Sequence, residues 1–328
     1  MNVNHTRLVL LLLLVIGASL VVHNEALATK NIKAAVLVPG FLTGAGDFSD
    51  MVEQLSILGI PTVTVPMPNW HWIPCLGGRS VRPMLERIDF TVKHLLATRD
   101  VTRVPNFEYS LWDVWRDFQT NPGGISAVGG STLVDEYPVV DPCGTFVLPE
   151  SIPVDTKIAL IGHSAGGWIC RAYLSDRSYG GKVYDGKRFI HSLVTLGSPQ
   201  MNAPGPAFES IKWVNKEPAL VNSLAVGGTG FKGDEWGSFT QGAYTFCSSD
   251  GSDGSGCTGD GVTSIESALA FEGAEKLELP GVHHFCWADV WGGSFVSPEL
   301  TEDYRNGSPW YGSKGVVEKW ATFLTRDL

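Results

Sequence analysis

Short apolar runs, rich in β-branched residues, alternate along most of the chain with longer segments whose apolar residues recur at helical spacing. The strands predicted from the short runs are residues 34–38, 62–65, 157–161, 192–196, 243–246 and 276–279. The predicted helices are residues 50–58, 81–99, 167–174 and 315–326. Residues 201–232 have no clear period and are expected to be irregular. Strands that alternate with helices predict an α/β fold, in which a mostly parallel sheet carries helices on both faces.

A long segment separates the second predicted helix from the strand that follows it. Residues 101–156 contain an amphipathic piece at 109–118 and then loops rich in proline and glycine. Loops of this length without structure of their own are uncommon and are often functional. We therefore expect 101–156 to be an insertion near the mouth of a functional site.

The N-terminus has the organisation of a secretory signal peptide. Arg7 provides a basic start, residues 8–22 are uncharged and mostly apolar, and residues 26–28, Ala-Leu-Ala, offer a small-x-small cleavage pattern. The apolar run is shorter than the roughly 20 residues of a membrane-spanning helix. We expect residues 1–28 to be removed, leaving one domain over 29–328 without a transmembrane span; a short uncleaved anchor is the alternative. The protein would be secreted or lumenal, although in an alga such a signal can also begin a route to the plastid.

Charge and cysteine content narrow the choice of partners and of compartment. The formal net charge is −10 and no basic run is present, which argues against nucleic acid as a partner. The six cysteines include no C-x-x-C zinc spacing, and an even count in an exported chain allows three disulfides. The pairings considered are Cys247 with Cys257, Cys75 with Cys143 and, as an alternative to a buried free thiol, Cys170 with Cys286.

Residues 162–166, Gly-His-Ser-Ala-Gly, are the most informative motif in the chain. A G-x-S-x-G sequence between a buried strand and a helix is the nucleophile elbow of α/β-hydrolases. The turn is so tight that small residues must flank the serine, and Gly162 and Gly166 meet this need because they lack a Cβ. The pattern predicts Ser164 as a nucleophile held in a strained backbone conformation.

A serine nucleophile needs a histidine base and a carboxylate that orients it, and in this fold they follow in the order serine, acid, histidine. Asp260 comes after the predicted strand 243–246 and lies between two glycines, which allow a sharp turn. Asp250 and Asp253 compete with it but belong to a polar, glycine-rich loop, and Asp234 precedes the strand. We therefore expect Asp260 to be the acid.

The histidine base is expected directly after the last strand, where His283 and His284 are adjacent. Two neighbouring side chains cannot both face the serine, and the residues alone do not decide between them. The side chain of His163, inside the elbow, is expected to point away from the base. The oxyanion needs backbone N–H donors, which we expect from Ala165 and from Phe41 in the loop after the first strand.

Five motifs together resemble a family of plant and algal lipase-like α/β-hydrolases, which is loosely similar to the hydrolase domain of GPI inositol-deacylases. They are residues 162–168, 196–199, 259–262, 281–284 and 310–313, within a resemblance that covers roughly 32–100 and 157–322. The resemblance implies Ser164 as nucleophile, Asp260 as acid and His284 rather than His283 as base. The chain departs from many lipases at Pro39, where they have histidine, and residues 101–156 have no clear counterpart.

The expected activity is hydrolysis of carboxylic esters, with no metal or organic cofactor, by the α/β-hydrolase domain. A lipid-like acyl ester is the favoured substrate because aromatic and apolar residues are plentiful in 101–156 and 201–232, and contact with a lipid surface is compatible with this. Residues 70–72, Trp-His-Trp, either line the substrate pocket or anchor the packing. The alternatives are a pigment-ester or thioester hydrolase and a non-catalytic binding protein with the same fold.

Overall fold

The structure, a computed structural model, describes residues 30–72, 81–105, 151–153, 155–179, 182–205, 208–235, 237–248, 253–285 and 307–326. The strands are β1 (Lys30–Val38), β2 (Thr62–Thr64), β3 (Thr156–His163), β4 (Ile190–Leu196), β5 (Asn222–Thr229), β6 (Phe231–Lys232), β7 (Thr258–Gly259) and β8 (Glu275–Pro280). The α-helices are α1 (Ser49–Ile57), α2 (Arg82–Thr98), α3 (Ala165–Leu174), α4 (Glu209–Val214), α5 (Gly237–Cys247), α6 (Ile265–Ala268) and α7 (Lys314–Ala321). Short 3₁₀ helices cover Ala45–Phe48, Asn69–Trp72, Val101–Arg103, Gly186–Arg188 and Thr322–Thr325.

Six of the described strands form one sheet in the order β2-β1-β3-β4-β5-β8. The pairs β1/β2, β3/β4, β4/β5 and β5/β8 are parallel. Strands buried on both faces are expected to be apolar along their whole length, and the four residues from Ile158 to Ile161 in β3 are at most 1% exposed. The expected α/β fold with a mostly parallel sheet is therefore confirmed.

Helices cover the sheet on both faces because successive side chains of a strand point in opposite directions. In β1, Val36 and Val38 pack into one hydrophobic cluster with α2, α3 and α4. Ala35 and Leu37 pack into a second cluster with α1 and α7. The carboxyl ends of the parallel strands consequently meet at one edge, between two layers of helices.

Two predicted elements are wrong. Residues 201–232 are not irregular throughout, since they contain α4 and the central strand β5. Glycine weakens the strand pattern of β5, and α6 packs closely against it: a Cβ at Gly227 would lie 2.5 Å from the Cδ1 atom of Ile265 and 3.1 Å from the Cβ atom of Ala268. Residues 243–246 belong to helix α5 rather than to a strand, because Thr240 and Tyr244 share a fully buried helical face while Phe246 is exposed.

Several sequence predictions lie outside the described residues. These include the signal peptide 1–28, most of the insertion 101–156, and Cys75, Cys143 and Cys286. Cys247 is a thiol in the structure, so the disulfide predicted between Cys247 and Cys257 is not formed. Cys170 is a buried thiol, which is the alternative considered to a disulfide with Cys286. Within the part of the chain that the structure describes, no helix is long and apolar enough to cross a membrane.

Candidate active site

The predicted nucleophile, acid and base lie at the carboxyl edge of the sheet. Ser164 directly follows β3, Asp260 follows β7, and His284 comes four residues after β8. The rings of His163 and His284 have their centroids 4.7 Å apart, which brings the loop after β8 against the elbow. Residues that are distant in sequence meet here because parallel strands end on the same side.

Ser164 is held in a strained conformation at the start of α3. Its φ is 51° and its ψ is −130°, a combination that residues other than glycine rarely adopt. Its backbone N–H donates to the carbonyl oxygen of Leu196 at 2.8 Å, which ties the turn to the end of β4. The residue is 8% exposed and occupies the N-cap position of α3 without a side-chain capping bond. The hydroxyl is therefore not used to cap the helix.

Glycines on either side allow the elbow to form. A Cβ at Gly162 would lie 2.5 Å from the Cα atom of Gly167, inside the turn itself. A Cβ at Gly166 would clash with the carbonyl oxygen of Val38 in β1. Both neighbours are backbone atoms that cannot move aside, so the spacing of the motif follows from steric exclusion.

Asp260 and His284 form a fully buried pair. His284 Nδ1 lies 2.7 Å from Asp260 Oδ2, and the backbone N–H of His284 donates to the carbonyl oxygen of Asp260 at 3.0 Å. A carboxylate only accepts, so the imidazole carries its proton on Nδ1 and leaves Nε2 as the basic nitrogen. His284 Nε2 is buried and has no hydrogen-bond partner among the described residues, and thus none from Ser164 Oγ. The hydrogen bond between a catalytic serine and its histidine is often long or poorly aligned before substrate binds.

The acid is held as a carboxylate by donors on both oxygens. Oδ1 accepts from the backbone N–H groups of Val262 at 3.0 Å and Thr263 at 2.7 Å. Oδ2 accepts from the hydroxyl of Tyr311 at 2.8 Å as well as from His284. Burial by itself raises the pKa of Asp260, but the charge of His284 and the hydrogen bonds from His284, Thr263 and Tyr311 outweigh it and hold this pKa below its usual value.

His163 contacts the base and does not point away from it, contrary to the sequence expectation. Its Nε2 donates to the carbonyl oxygen of His284 at 2.8 Å. Burial, together with the nearby charge of His284, lowers the pKa of His163 to about 3. His163 is therefore neutral and positions the loop that carries His284. His283 turns elsewhere, stacking on Phe231 with ring centroids 3.9 Å apart.

The loop after β1 passes directly against the elbow. A Cβ at Gly40 would lie 2.5 Å from Ser164 Cβ, and Phe41 is the next residue. Thr43 fixes the turn, since its backbone N–H and its hydroxyl both donate to the carbonyl oxygen of Gly40, at 3.1 and 2.7 Å. Leu42 has a φ of 58°, a second strained residue beside the site. The turn thus fixes the backbone that carries the Phe41 N–H next to the serine.

The other predicted oxyanion donor, Ala165, is the first residue of α3. Amides in the first turn of a helix have no acceptor within it and lie at its positive end. The N–H of Ala165 is therefore suited to a developing negative charge beside Ser164.

Sequence reasoning missed the role of two residues in this site. Tyr311 was noted only within a family motif, yet its hydroxyl binds the acid directly. Gly197 has a φ of 55°, and a Cβ there would clash with Asp260 Oδ2, so the turn after β4 leaves room for the carboxylate. Their motifs, Trp-Tyr-Gly-Ser and Gly-Ser-Pro, were visible, but neither contains a chemically reactive pattern.

Of the competing carboxylates, Asp253 does not enter the site. Asp253 is exposed and uses its carboxylate on the backbone N–H and hydroxyl of Ser255. Asp250 lies outside the described residues. Trp72 is fully buried and meets the ring of Phe41 edge-on, with centroids 5.9 Å apart, so it packs directly behind the proposed oxyanion loop.

Metal chemistry has no obvious ligands in the part of the chain that the structure describes. No group of three or more His, Cys, Asp or Glu side chains there is arranged to hold a metal ion. Comparison of the chain with protein-family models and with curated proteins finds no match, so the chemistry of this site has to be argued from its own geometry.

Proposed function

We propose that this protein is a serine hydrolase of the α/β-hydrolase fold that cleaves carboxylic esters through an acyl-enzyme. One observation carries the proposal: a buried carboxylate–imidazole pair stands beside a serine in a strained strand-to-helix turn. Packing alone does not call for this combination, because a buried carboxylate and a strained serine both cost free energy.

The proposed reaction has two halves that use the same groups. Ser164 Oγ attacks the ester carbonyl while His284 Nε2 takes its proton, and Asp260 stabilises the imidazolium that forms. The N–H groups of Ala165 and Phe41 stabilise the oxyanion. The imidazolium then protonates the leaving alkoxide. In the second half, water attacks the acyl-enzyme with His284 again as the base; the bond between the acyl carbon and Ser164 Oγ breaks, the carboxylic acid leaves, and the imidazolium returns its proton to Ser164 Oγ.

The substrate we favour has an apolar acyl group. Phe41 and Leu42, on the loop that would bind the carbonyl oxygen, are partly buried apolar residues, and the buried ring of Trp72 packs against Phe41. A site of this character selects for acyl chains over charged groups. Pigment esters and thioesters use the same acyl chemistry and belong in the same substrate panel.

The direct test is active-site labelling with a fluorophosphonate probe, combined with hydrolysis of p-nitrophenyl esters of increasing chain length. We expect the wild type to label at Ser164 and to cleave esters, and Ser164→Ala to lose both while keeping its thermal unfolding midpoint. Ser192→Ala is the matched control, because Ser192 is also buried but lies near the amino end of β4. A folded wild type that neither labels nor cleaves any ester would favour the binding-protein alternative.

A further inference from the structure

Tyr311 lies between the described loop residues 307–310 and α7, and is fully buried. Its hydroxyl donates to Asp260 Oδ2 at 2.8 Å and accepts from the backbone N–H of Gly228 at 2.6 Å. The second bond settles the direction of the first. A peptide N–H can only donate, so it occupies a lone pair of the hydroxyl and leaves its single proton for the carboxylate.

We propose that Tyr311 is a positioning residue for the catalytic base, acting through Asp260. Its hydroxyl fixes the carboxylate rotamer and shares the negative charge that would otherwise act on His284 alone. This inference rests on the proposed hydrolase function and assigns a further residue to the same site. Tyr311 itself does not touch the reacting atoms.

The surroundings of Tyr311 are shaped for this contact. A Cβ at Gly197 would lie 2.8 Å from the Cε2 atom of Tyr311 and would also clash with Asp260 Oδ2. A Cβ at Gly228 would lie 2.8 Å from Asp260 Cβ and 3.2 Å from the Tyr311 hydroxyl. Glycine at both strand ends therefore admits the phenol and the carboxylate together. A tyrosine that served only to fill space would not need its hydroxyl at this point.

The four hydrogen bonds to the Asp260 carboxylate are not equivalent. The two backbone donors on Oδ1 come from the turn that carries the acid, so they hold the carboxylate within its own loop. The two side-chain donors on Oδ2 come from His284 and Tyr311 and compete for one oxygen. Charge-assisted hydrogen bonds of this kind are about twice as strong as neutral ones. Removing the Tyr311 donor should therefore strengthen the interaction between the carboxylate and His284.

The titratable groups packed around Asp260 and Tyr311 stay neutral near neutral pH. Burial raises the pKa of Tyr311 well above its usual value, and the charge of Asp260 raises it further. From α5, burial raises the pKa of Tyr244 far above its usual value and that of Cys247 to about 12, with Asp260 adding to both shifts. From β3, His163 is neutral because its pKa is about 3. His283 neighbours His284 in sequence and stacks on Phe231.

The test compares Tyr311→Phe with Tyr244→Phe. Tyr244 is also fully buried, and its hydroxyl also makes two hydrogen bonds, but both are to the backbone: it donates to the carbonyl oxygen of Phe231 at 2.6 Å and accepts from the N–H of Gly261 at 2.9 Å. It braces the acid loop without touching the carboxylate, so it is a matched control. For Tyr311→Phe we expect kcat to fall about 10-fold with KM nearly unchanged.

The pH profile distinguishes positioning from simple support of the loop. With the competing donor removed, the carboxylate favours the imidazolium more, so the acid limb of the kcat profile should move up by about half a pH unit. Tyr244→Phe should leave that limb in place. An unchanged profile in Tyr311→Phe, or the same shift in both variants, would overturn the inference.

Two further measurements keep the inference testable if Tyr311→Phe folds poorly or the wild type is inactive. Site-specific 3-fluorotyrosine at 311 keeps the shape and makes the hydroxyl a stronger donor, so the acid limb should move in the opposite direction. NMR titration of the His284 ring reports the same coupling without turnover. An inactive wild type whose ring titration still shifts in Tyr311→Phe would remove the proposed function alone, whereas an active wild type without any shift would remove the role of Tyr311 alone.

Discussion

The two halves of the candidate site differ in how completely their polar groups are satisfied. In the acid half, made of Asp260, His284 and Tyr311, both carboxylate oxygens have two donors each and all three residues are fully buried. In the nucleophile half, made of Ser164, Ala165 and Phe41, the serine backbone is strained, and the nitrogen proposed to serve it, His284 Nε2, has no hydrogen-bond partner among the described residues.

This contrast is what a site needs if one half is to be rigid and the other is to react. A fully bonded carboxylate holds the imidazole in one tautomer and one orientation. Unsatisfied donors and acceptors beside the serine cost stability in the free protein, and a reacting ester can use them. The hydrogen bonds of the acid half therefore offset part of the free-energy cost of the strained serine and the unpaired groups in the nucleophile half.

Breaking the acid half at its centre should have the largest effect after removal of the serine itself. Asp260→Asn presents a donor or a weaker acceptor to His284 and favours the wrong tautomer, so kcat should fall by up to about 10⁴-fold, as for the equivalent change in serine proteases. Steady-state ester hydrolysis measures this. Asp253→Asn, in the neighbouring exposed loop, is the control and should retain full activity; equal losses in the two variants would contradict the assignment of the acid.

Breaking the nucleophile half from outside should cost less. In Gly40→Ala the new Cβ would lie 2.5 Å from Ser164 Cβ and 2.9 Å from the His163 carbonyl oxygen, so the loop carrying Phe41 must shift. Displacing one oxyanion donor should lower kcat by about 10²-fold or more. Gly46→Ala is the control, because a Cβ there meets nothing within 4 Å. Normal turnover in Gly40→Ala would argue against the Phe41 N–H as a donor.

His163, which joins the two halves, should affect the pH dependence of stability more than the reaction rate. His163 has a folded pKa of about 3, below the usual 6.5, so between these values the unfolded chain binds a proton that the native protein does not. The free energy of unfolding should therefore fall as the pH drops from 6.5, by up to about 1.4 kcal/mol per pH unit. Denaturant unfolding at pH 5, 6 and 7 measures this slope.

His163→Gln is the variant that tests this assignment. Its side-chain amide can donate to the His284 carbonyl oxygen as Nε2 does, but it cannot titrate. The contribution of His163 to the pH slope should disappear while stability at pH 7 changes little. An unaltered slope in His163→Gln would assign the pH dependence to other groups.

The sequence predicted which residues meet at the candidate site better than it predicted the elements around them. Ser164 stood out because its motif lies between an apolar strand and a helix. The exclusion of a side chain at Gly162 is local to the turn, whereas at Gly166 it comes from Val38 in β1. Asp260 was chosen from a wrong premise, since the strand expected before it is helix α5. The structure nevertheless brings Asp260 into contact with His284. The glycines on either side of Asp260 indicate a turn whichever element precedes it.

The errors at β5 and α5 have a common cause. The end of β5 contains Gly227 and Gly228. Because they lack a Cβ, they leave room for α6 and for the Asp260–Tyr311 contact. Those contacts come from residues far along the chain, so no local pattern marks them. In α5, residues 243–246 have strand propensity, but burying one face of the helix stabilises the helical conformation more.

By itself, the sequence determined the α/β class, the tight turn at Ser164 and the small set of carboxylates and imidazoles that could serve it. These depend on hydrophobic period and on steric exclusion between near neighbours, which are local. The residues alone left His283 and His284 open, and the resemblance favoured His284; the tertiary structure brings His284 against Asp260 and shows that Tyr311 shares the carboxylate. Such contacts join the ends of separate strands, and their geometry exists only once the sheet has brought those ends together.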